Sequence, residues 1–441
     1  MHAERINRRG FLGTSLGLSL AGMIGTPGVR TARSAEKVTL DWKDNKVIQD
    51  ARKLALDILK PSAKDLEHGL ALHAESLVFD GYGFSPNAAI DGDAIQAAIE
   101  AHASPVELQD MREDGSMTRC VTDPAERAEY EQAWRASGVT CVFQNAGEEG
   151  QDPMRLIKRL ARFTYVTDMM RDFVAKAATP DDILAAKKRD RHCLYFTGNG
   201  VPIRQHWVSV EDELRYIRVF FQLGIRMMHL TYQRRNMIGD GCGESTDAGL
   251  SDFGQTVVAE MNRQGVIVDI AHSGWKTSFD AAKASSRPMV ASHTTCTALY
   301  KHYRGKPDEV IRAICDTGGQ VGICCVPKYL GGSADINALL DHIDYVAKKF
   351  GDDHVSIGTD VAYRSRNAAA ENKKMSGRPR TRTQWRMLWP ESPNPGGNAR
   401  SMCWTNWPLY TVGLVQRGYS DDSIRKIIGG NVLRVARDVL K

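Results

Sequence analysis

The stretch QGVIVDIAHSGWKT, Gln264–Thr277, contains a short apolar run, Val266–Ile270, that is broken by a single acidic residue and is followed at once by His272. A run of this length with β-branched residues is typical of a buried strand. The same arrangement returns in RPMVASHTTC, where Met289–Ala291 leads into His293. Two buried strands that each end in a histidine predict a sheet with functional groups at the carboxyl ends of its strands.

Eight segments of the chain combine apolar and β-branched residues as buried strands do. They begin at Ser76, Gly138, His192, Gly224, Gly265, Pro288, Gly318 and His354. Segments of helical periodicity separate them, most clearly Ser251–Gly265 and Asp335–Gly351. Near-continuous apolar strands alternating with helices predict an α/β protein with a parallel sheet buried on both faces, and eight repeats predict a closed (β/α)8 TIM barrel. The periodic segments Lys46–Leu72 and Ser420–Leu440 predict helical extensions at the two ends of the barrel.

The N-terminal segment has the features of an export signal. In NRRGFLG, Asn7–Gly13, paired arginines precede a weakly apolar, glycine-rich run that extends to about Ile24. This order predicts a twin-arginine signal peptide over residues 1–35, and hence a periplasmic or extracellular protein. The run is too short and too rich in glycine to predict a membrane span, so none is expected after processing. Residues 36–441 then form a single barrel domain.

Charge and cysteine content exclude some classes of protein. Residues 1–35 hold five arginines and one glutamate, so removing them from 58 basic and 53 acidic residues leaves 53 and 52, a net charge of about +1. This balance does not suggest nucleic-acid binding. The nine cysteines form no CxxC pair. They are expected to be small core residues rather than a disulfide framework.

One long segment after the last predicted strand stands apart from the rest. Residues 364–400 are rich in proline and glycine and carry nine lysines or arginines against two glutamates. Loops of this length are usually functional or disordered, and this one would leave the carboxyl face of the barrel. A basic lid over an anionic ligand and a solvated surface insertion are both compatible with its composition.

Polar side chains at three strand ends point to a metal centre. His272 ends the fifth predicted strand, His293 the sixth and Asp360 the eighth. Side chains at these positions of a barrel share one mouth. Imidazole nitrogen is a good zinc ligand, and a carboxylate beside bound water can take and return a proton. The pattern therefore predicts a polar, metal-binding active site.

A long part of the chain resembles a known family. The resemblance is strongest in GLSDFGQTVVAEMNRQGVIVDIAHSGWKTSFDAAKASSRPMVASHTTC, Gly249–Cys296, and continues through YRGKPDEVIRAICDTGGQVGI, HVSIGTDV and GYSDDSIRKIIGGNVLRV. These motifs are similar to those of the membrane (renal) dipeptidases, a branch of the amidohydrolase-like metal-dependent (β/α)8 barrels. The resemblance implies a hydrolase of dipeptides with two zinc ions, bridged by a glutamate and a hydroxide.

The resemblance also implies roles for single residues. His272 and His293 match the two histidines that hold the second metal of the family. Asp360 matches the aspartate that handles the proton, and Arg304 falls near the arginine that binds the substrate carboxylate. Tyr232 stands where the family has a substrate-binding histidine.

The first metal site of the family is not preserved in this chain. The family's first strand ends in Asp-Gly-His-Asn-Asp, whereas this chain reads FDGYGF, which puts Tyr82 and Phe84 at the two ligand positions. The bridging glutamate is replaced by Gly198 or Asn199 in LYFTGNG. The chain is thus expected to be a divergent member that holds one zinc ion at most. Tyr82 is interpreted as a plug of the vacated metal pocket, with donation of a hydrogen bond to an oxyanion as the alternative.

Two histidines alone hold zinc incompletely, so a third protein ligand is expected. Asp360 is the nearest candidate, and Glu148 or Glu149 at the end of the second predicted strand could also reach the mouth. His206 and His229 are weaker candidates, since His229 is interpreted as packing inside its strand.

The sequence leaves three classes of function open. The favoured hypothesis is an exported metal-dependent hydrolase that cleaves the amide bond of dipeptides or related small amides, with a homodimer as one oligomeric state that the sequence leaves open. The alternative is a catalytically degenerate barrel that binds a ligand without cleaving it. Two histidines with one carboxylate also describe the facial triad of iron oxygenases, which the barrel family disfavours.

Overall fold

The structure, a computed structural model, describes residues 42–147, 152–376 and 397–440. The strands in these ranges are β1 (Phe79–Gly83), β2 (Cys141–Asn145), β3 (Val174–Ala177), β4 (His192–Gly198), β5 (Ile225–His229), β6 (Ile267–Asp269), β7 (Val290–Thr294), β8 (Gln320–Ile323) and β9 (Val355–Ile357). The proposed signal peptide, Glu148, Glu149 and residues 377–396 of the basic loop lie outside the described residues, so those predictions stay predictions.

Helices surround the strands. They are α1 (Lys46–Leu59), α2 (Ala63–Glu75), α3 (Gly92–Glu100), α4 (Pro105–Thr122), α5 (Pro124–Ser137), α6 (Pro153–Met169), α7 (Pro180–Lys188), α8 (Val210–Gln222), α9 (Asp252–Gln264), α10 (Trp275–Ala284), α11 (Asp308–Asp316), α12 (Pro327–Leu330), α13 (Ile336–Phe350), α14 (Ala368–Lys373), α15 (Trp407–Gln416), α16 (Asp421–Arg425) and α17 (Asn431–Val439). Short 3-10 segments cover Trp42–Asp44, Asp352–His354, Gly397–Met402 and Trp404–Asn406, and a π-helical turn covers Lys426–Gly430. Across the described ranges, none of these helices has the length and apolar character needed to cross a bilayer.

The predicted (β/α)8 barrel is confirmed. Eight parallel strands are hydrogen-bonded in the order β1-β2-β4-β5-β6-β7-β8-β9, and they correspond one to one to the eight predicted segments. The ring nearly closes where the chain leaves β9, because the amide of Asp360 donates to the carbonyl of Tyr82 at 3.0 Å. The ninth strand, β3, was not predicted. It pairs with the first half of β4, whereas β5 pairs with β4 only from Phe196 onward.

The clearest predicted helix shows why these sequences fold locally as they do. Ser251 caps α9, its hydroxyl accepting from the amide of Gly254, and Gly265 ends the helix with a left-handed φ of 82°. Val257, Val258 and Met261 face inward and are fully buried. A side-chain cap, an apolar stripe and a C-terminal glycine are the standard signals of a helix that packs on a sheet.

The lower part of the barrel is filled and then sealed by the C-terminal helix. Side chains such as Phe79, Phe143 and Met227 form an apolar cluster with residues of α17. The break predicted in the C-terminal helical segment is present at Gly429. A side chain there would come within 2.5 Å of the carbonyl of Leu77, so only glycine lets the helix pass this close to β1. One end of the barrel is therefore closed, and polar groups accumulate at the other.

Candidate metal-binding active site

Three histidines meet at the carboxyl ends of three consecutive strands of the barrel. His229 is the last residue of β5, His272 follows β6, and His293 is the fourth residue of β7. All three are buried, and each offers a ring nitrogen within 4.8 Å of those of the other two. Active sites of (β/α)8 barrels lie at this face, so the cluster is the candidate functional site.

Local irregularities of the strands aim two of these rings into the mouth. The pairing of β7 with β8 shifts register between Ala291 and Thr294, and such bulges redirect side chains beside active sites. After β6, the carboxylate of Asp269 accepts from the amide of Ala271 at 2.9 Å. A turn stabilised in this way carries the chain round to His272.

The two histidines that the sequence proposed as metal ligands face each other. The Nε2 atoms of His272 and His293 are 2.9 Å apart, and their ring planes are inclined by 62°. The imidazole pair thus lies in the barrel mouth as expected. Its role as a ligand pair stays a prediction.

A chain of hydrogen bonds fixes the tautomer of His293. The Ser292 hydroxyl donates to Asp269 through a very short contact, and Nδ1 of His293 lies 2.8 Å from the same hydroxyl oxygen. The Ser292 hydroxyl has one proton, which it uses in the hydrogen bond to Asp269. Its oxygen can therefore only accept from His293, and Nδ1 of His293 must be the donor. The Nε2 atom of the neutral ring then carries the lone pair and points at His272.

Asp269 is the buried carboxylate of the site, and the sequence analysis passed over it. Its oxygens accept from the amides of Ala271 and Ser292 and from the Ser292 hydroxyl. Nε2 of His229 lies 2.9 Å from Oδ2 of Asp269. Burial opposes the charge of this carboxylate, but the His229 ring and the Ser292 hydrogen bonds outweigh burial and hold the pKa of Asp269 below its usual value. The site therefore contains a fixed negative charge.

His229 completes a compact arrangement of three rings. Its ring centroid is 5.3 Å from that of His272 and 5.3 Å from that of His293, with nearly perpendicular planes in both cases. Its Nδ1 is 3.1 Å from the carbonyl oxygen of Gly198. The sequence analysis interpreted His229 as a packing residue of its strand, whereas the structure places it in the mouth of the barrel.

Aromatic side chains form the walls of the cluster. Tyr82 stacks on His293 with ring centroids 3.8 Å apart and planes at 14°, and Tyr232 stacks on His272 at 4.2 Å and 23°. Phe84 packs edge-on against Tyr82 at 6.2 Å. The two replaced first-metal positions therefore place aromatic rings on the side of the mouth next to His293.

Two buried basic side chains lie behind the histidines. The guanidinium of Arg304 donates to the carbonyls of Ala271 and His293, and one of its nitrogens is 3.5 Å from Nε2 of His272. Burial lowers the pKa of Lys306 to about 7. Arg304, proposed as a substrate ligand, is only 1% exposed and already serves two main-chain carbonyls.

The environment keeps the paired imidazoles neutral. Burial, and next the charge of Arg304, lower the pKa of His272 well below its usual value. The same two causes, in the same order, lower the pKa of His293. Neutral imidazole is the form that binds metal.

Asp360 lies beside the cluster and not within it. It follows β9, has a left-handed φ of 54° and is partly exposed. Among the described residues, the group at the barrel mouth that could share one ion contains the three histidines and does not include Asp360 or His206. His206 is exposed and contacts Arg204. The proton-handling role of Asp360 and its role as a third ligand both stay predictions.

The donor set fits one metal ion and does not fit two. Ring nitrogens of His229, His272 and His293 converge within 4.8 Å of one another, which suits a single ion. Tyr82 and Phe84 offer no normal zinc ligand at the first-metal positions. Imidazole nitrogens suit zinc, copper, iron and nickel.

The barrel and its three-histidine mouth define the class of protein. The chain is an amidohydrolase-like (β/α)8 barrel. It aligns with a solved amidohydrolase from Pseudomonas aeruginosa at a TM-score of 0.62 and 26% identity, over 84% of this chain and 98% of that one. It also aligns with the probable dipeptidase PvdM from the same organism at a TM-score of 0.60 and 20% identity, over 85% of this chain and 98% of that one. This second likeness shows the fold alone.

Sequence comparison identifies the family within that class. The profile of the membrane dipeptidases, peptidase family M19, matches residues 70–370, so the chain belongs to this family. Dipeptidase verJ of Clonostachys rogersoniana is 29% identical over 226 residues, which is 51% of this chain and 50% of that protein. The chain thus spans about half the length of the curated relatives it matches. The resemblance inferred from the motifs is confirmed.

Proposed function

We propose that this protein is a metal-dependent hydrolase that cleaves the amide bond of dipeptides or related small amides. The observation that carries the proposal is the pair of Nε2 atoms of His272 and His293, 2.9 Å apart at the active-site face of a barrel of family M19. A zinc ion held at this pair would polarise a scissile carbonyl and lower the pKa of a bound water.

The residues of the chain supply the other functions that such a reaction needs. Asp360 stands at the end of β9 as the carboxylate that accepts a proton from the attacking water and returns it to the leaving amine. Arg304 and Lys306 place positive charge behind the histidines, where it favours the developing oxyanion and the free carboxylate of a dipeptide. Asp269 and Ser292 hold His293 in one tautomer.

A cavity beside the histidines has the size that a small substrate needs. Its volume is about 630 Å³ and its lining includes Cys242, Glu244, Asp247, Trp275, Lys301 and Tyr303. The amide of Cys242 donates to the carbonyl of His272 at 2.8 Å, so one wall of the cavity contacts the main chain of His272. Side chains of both charge signs around an aromatic ring suit a zwitterion such as a dipeptide.

The second candidate function is binding without hydrolysis. The observation that favours it is the burial of Tyr82 against His293, which fills the side of the mouth that holds the first metal in the family. A barrel with one metal site dismantled could retain a ligand and lose turnover.

The proposal also covers the cellular location and the oligomeric state of the protein. The paired arginines of Asn7–Gly13 support export by the twin-arginine route, with a periplasmic or extracellular location. The substrate is a small molecule, and the protein has no nucleic-acid partner. A homodimer is compatible with the composition of the chain.

The decisive experiment measures metal content and hydrolysis on the same sample. We expect the full-length protein to carry about one equivalent of zinc and to cleave part of a panel of dipeptides. His272→Ala should lose both properties, whereas the exposed His68→Ala control should keep them. Metal with no turnover, but with a dipeptide-induced rise in melting temperature, would select the binding function. A metal-free protein that binds none of the panel would overturn both.

A further inference from the structure

We propose that His229 is the third protein ligand of a mononuclear, three-histidine metal site, which it forms with His272 and His293. The inference rests on the proposed function only in taking the latter pair to bind a metal ion. It assigns to the carboxyl end of β5 a ligand that the motifs of the family do not place there.

The ring geometry is that of a site that is nearly assembled. Zinc–nitrogen distances of about 2.0–2.1 Å with a tetrahedral angle place two bound nitrogens about 3.3 Å apart and their ring centroids about 5 Å apart. The ring centroid of His229 is 5.3 Å from that of His272 and 5.3 Å from that of His293, and the centroids of His272 and His293 are 4.9 Å apart. Small side-chain adjustments would bring the three nitrogens onto one ion.

Hydrogen bonding places a proton on Nδ1 of two of the three rings. A carbonyl can only accept, so Nδ1 of His229 is the protonated nitrogen that faces Gly198. His293 has its proton on Nδ1 because Ser292 accepts there. The guanidinium of Arg304 is 3.5 Å from Nε2 of His272, which is too long a contact to fix the tautomer of that ring.

A cation at the centre of the three rings would contact the inward nitrogen of each. The Nε2 atoms of His272 and His293 are 2.9 Å apart, so either one shared proton or one cation lies between them. Nε2 of His229 is fully buried and lies 2.9 Å from Oδ2 of Asp269. Without a metal ion it is the donor to this carboxylate, and binding an ion at Nε2 would release that proton. A single cation satisfies all three nitrogens and offsets the charge of Asp269.

The same geometry limits the site to one ion. Tyr82 covers one face of His293 and lies 5.2 Å from the ring of His229. Three neutral imidazoles and an open fourth position describe a catalytic zinc site of the kind that keeps a water. The rival arrangement is a His229 ring that keeps a proton on both nitrogens and stays paired with Asp269, which could not bind metal.

The test is metal affinity, read without reference to catalysis. The full-length protein is stripped with a chelator and titrated with Co²⁺, whose visible absorption reports coordination number, and then with Zn²⁺ in competition. Three variants are compared: His229→Gln, Ser292→Ala and His342→Gln. His342 is a matched control, since it is equally buried and is hydrogen-bonded at both ring nitrogens outside the cluster.

We expect His229→Gln to bind Co²⁺ at least about 100-fold more weakly than the wild type. Ser292→Ala, which acts through His293, should fall in the roughly 10–100-fold range of outer-shell partners, and His342→Gln should bind as the wild type does. X-ray absorption of the zinc-loaded wild-type protein should show three imidazoles, a measurement that does not depend on any variant folding.

The outcomes separate this inference from the proposed function. Wild-type affinity in His229→Gln, or two imidazoles in the absorption spectrum, overturns the three-histidine site and leaves hydrolysis at His272 and His293 open. A three-imidazole site with no turnover supports the inference while hydrolysis fails. A wild-type protein that binds neither metal overturns the inference.

Discussion

The phenol ring of Tyr82 lies flat on the imidazole of His293, with ring centroids 3.8 Å apart and planes inclined by 14°. The motif resemblance matches Tyr82 to a metal-binding histidine of the family. Burial, and next the charge of Asp360, raise the pKa of Tyr82 well above its usual value, so the hydroxyl stays protonated. It faces Oδ1 of Asn199 at a long 3.4 Å. Packing is therefore the stronger contribution of this side chain.

Removing only the hydroxyl of Tyr82 should have little effect. We expect Tyr82→Phe to retain metal content and turnover and to lose less than about 1 kcal/mol of unfolding free energy, because one weak hydrogen bond is deleted. Tyr82→Ala should lose about 3–5 kcal/mol, since it leaves a ring-sized cavity against His293. Urea unfolding and initial rates measure both. A fall of 100-fold or more in kcat for Tyr82→Phe would instead assign the phenol to oxyanion stabilisation.

Asp360 can be tested as a proton carrier because its backbone conformation restricts the choice of variants. Its φ of 54° is costly for most residues but is tolerated by asparagine and glycine. We expect Asp360→Asn and Asp360→Gly to fold and to keep the metal while kcat falls by about 10²–10⁴-fold, the usual effect of losing a general acid–base. Metal analysis beside kinetics decides the role. If Asp360→Asn loses the metal, the aspartate is a ligand.

The barrel was predictable because its signals are local. Apolar β-branched runs such as that ending at His272 and capped helices such as α9 are both read directly from the chain. β3 was missed for a physical reason: it has four residues, and a lysine, Lys176, lies in its middle. It exists because β5 begins late and leaves the first half of β4 without a neighbour on that side.

The site was predictable only in part. His272 and His293 end obvious strands, and a family resemblance supports them. His229 lies inside an apolar run, where packing is the usual role of a histidine. Alternate residues of a strand point to the same side of the sheet. Met227 points into the barrel, so His229, two positions later in β5, could have been predicted to point inward as well. The link from Asp269 to Ser292 depends on the register of neighbouring strands, which no local pattern gives.

Zinc should stabilise the folded protein. A ligand that binds only the native state at 100 times its Kd adds about 2.7 kcal/mol of unfolding free energy, so we expect a rise of several degrees in the melting temperature of chelator-treated protein. His293→Ala should abolish the rise, and the exposed His68→Ala should show the full effect. An equal zinc-induced rise in His293→Ala would place the ion away from the cluster.

The buried carboxylate of Asp80 should make stability depend on pH. Burial raises its pKa from 3.8 to about 7, although Thr359 and Trp404 donate hydrogen bonds to it. Between these two values the folded state holds a proton that the unfolded state has released. Unfolding free energy attributable to Asp80 must therefore fall as pH rises from about 4 to about 7. The total loss could reach about 4 kcal/mol, given 1.36 kcal/mol for each pKa unit.

The measurement is a comparison of metal-free wild type with Asp80→Asn in urea at several pH values. Buried His73 and His192, whose pKa values are lowered to about 4 by burial, contribute the opposite slope below pH 6.5, so the difference between the two proteins is the informative quantity. Asp80→Asn should be the less stable at pH 5, because Oδ2 of Asp80 accepts from the Thr359 hydroxyl and Trp404 while Oδ1 accepts from the amides of Thr359 and Tyr82, and asparagine has only one oxygen. Its relative stability should improve steadily up to pH 8. A difference that does not change with pH would show that Asp80 is ionised throughout this range.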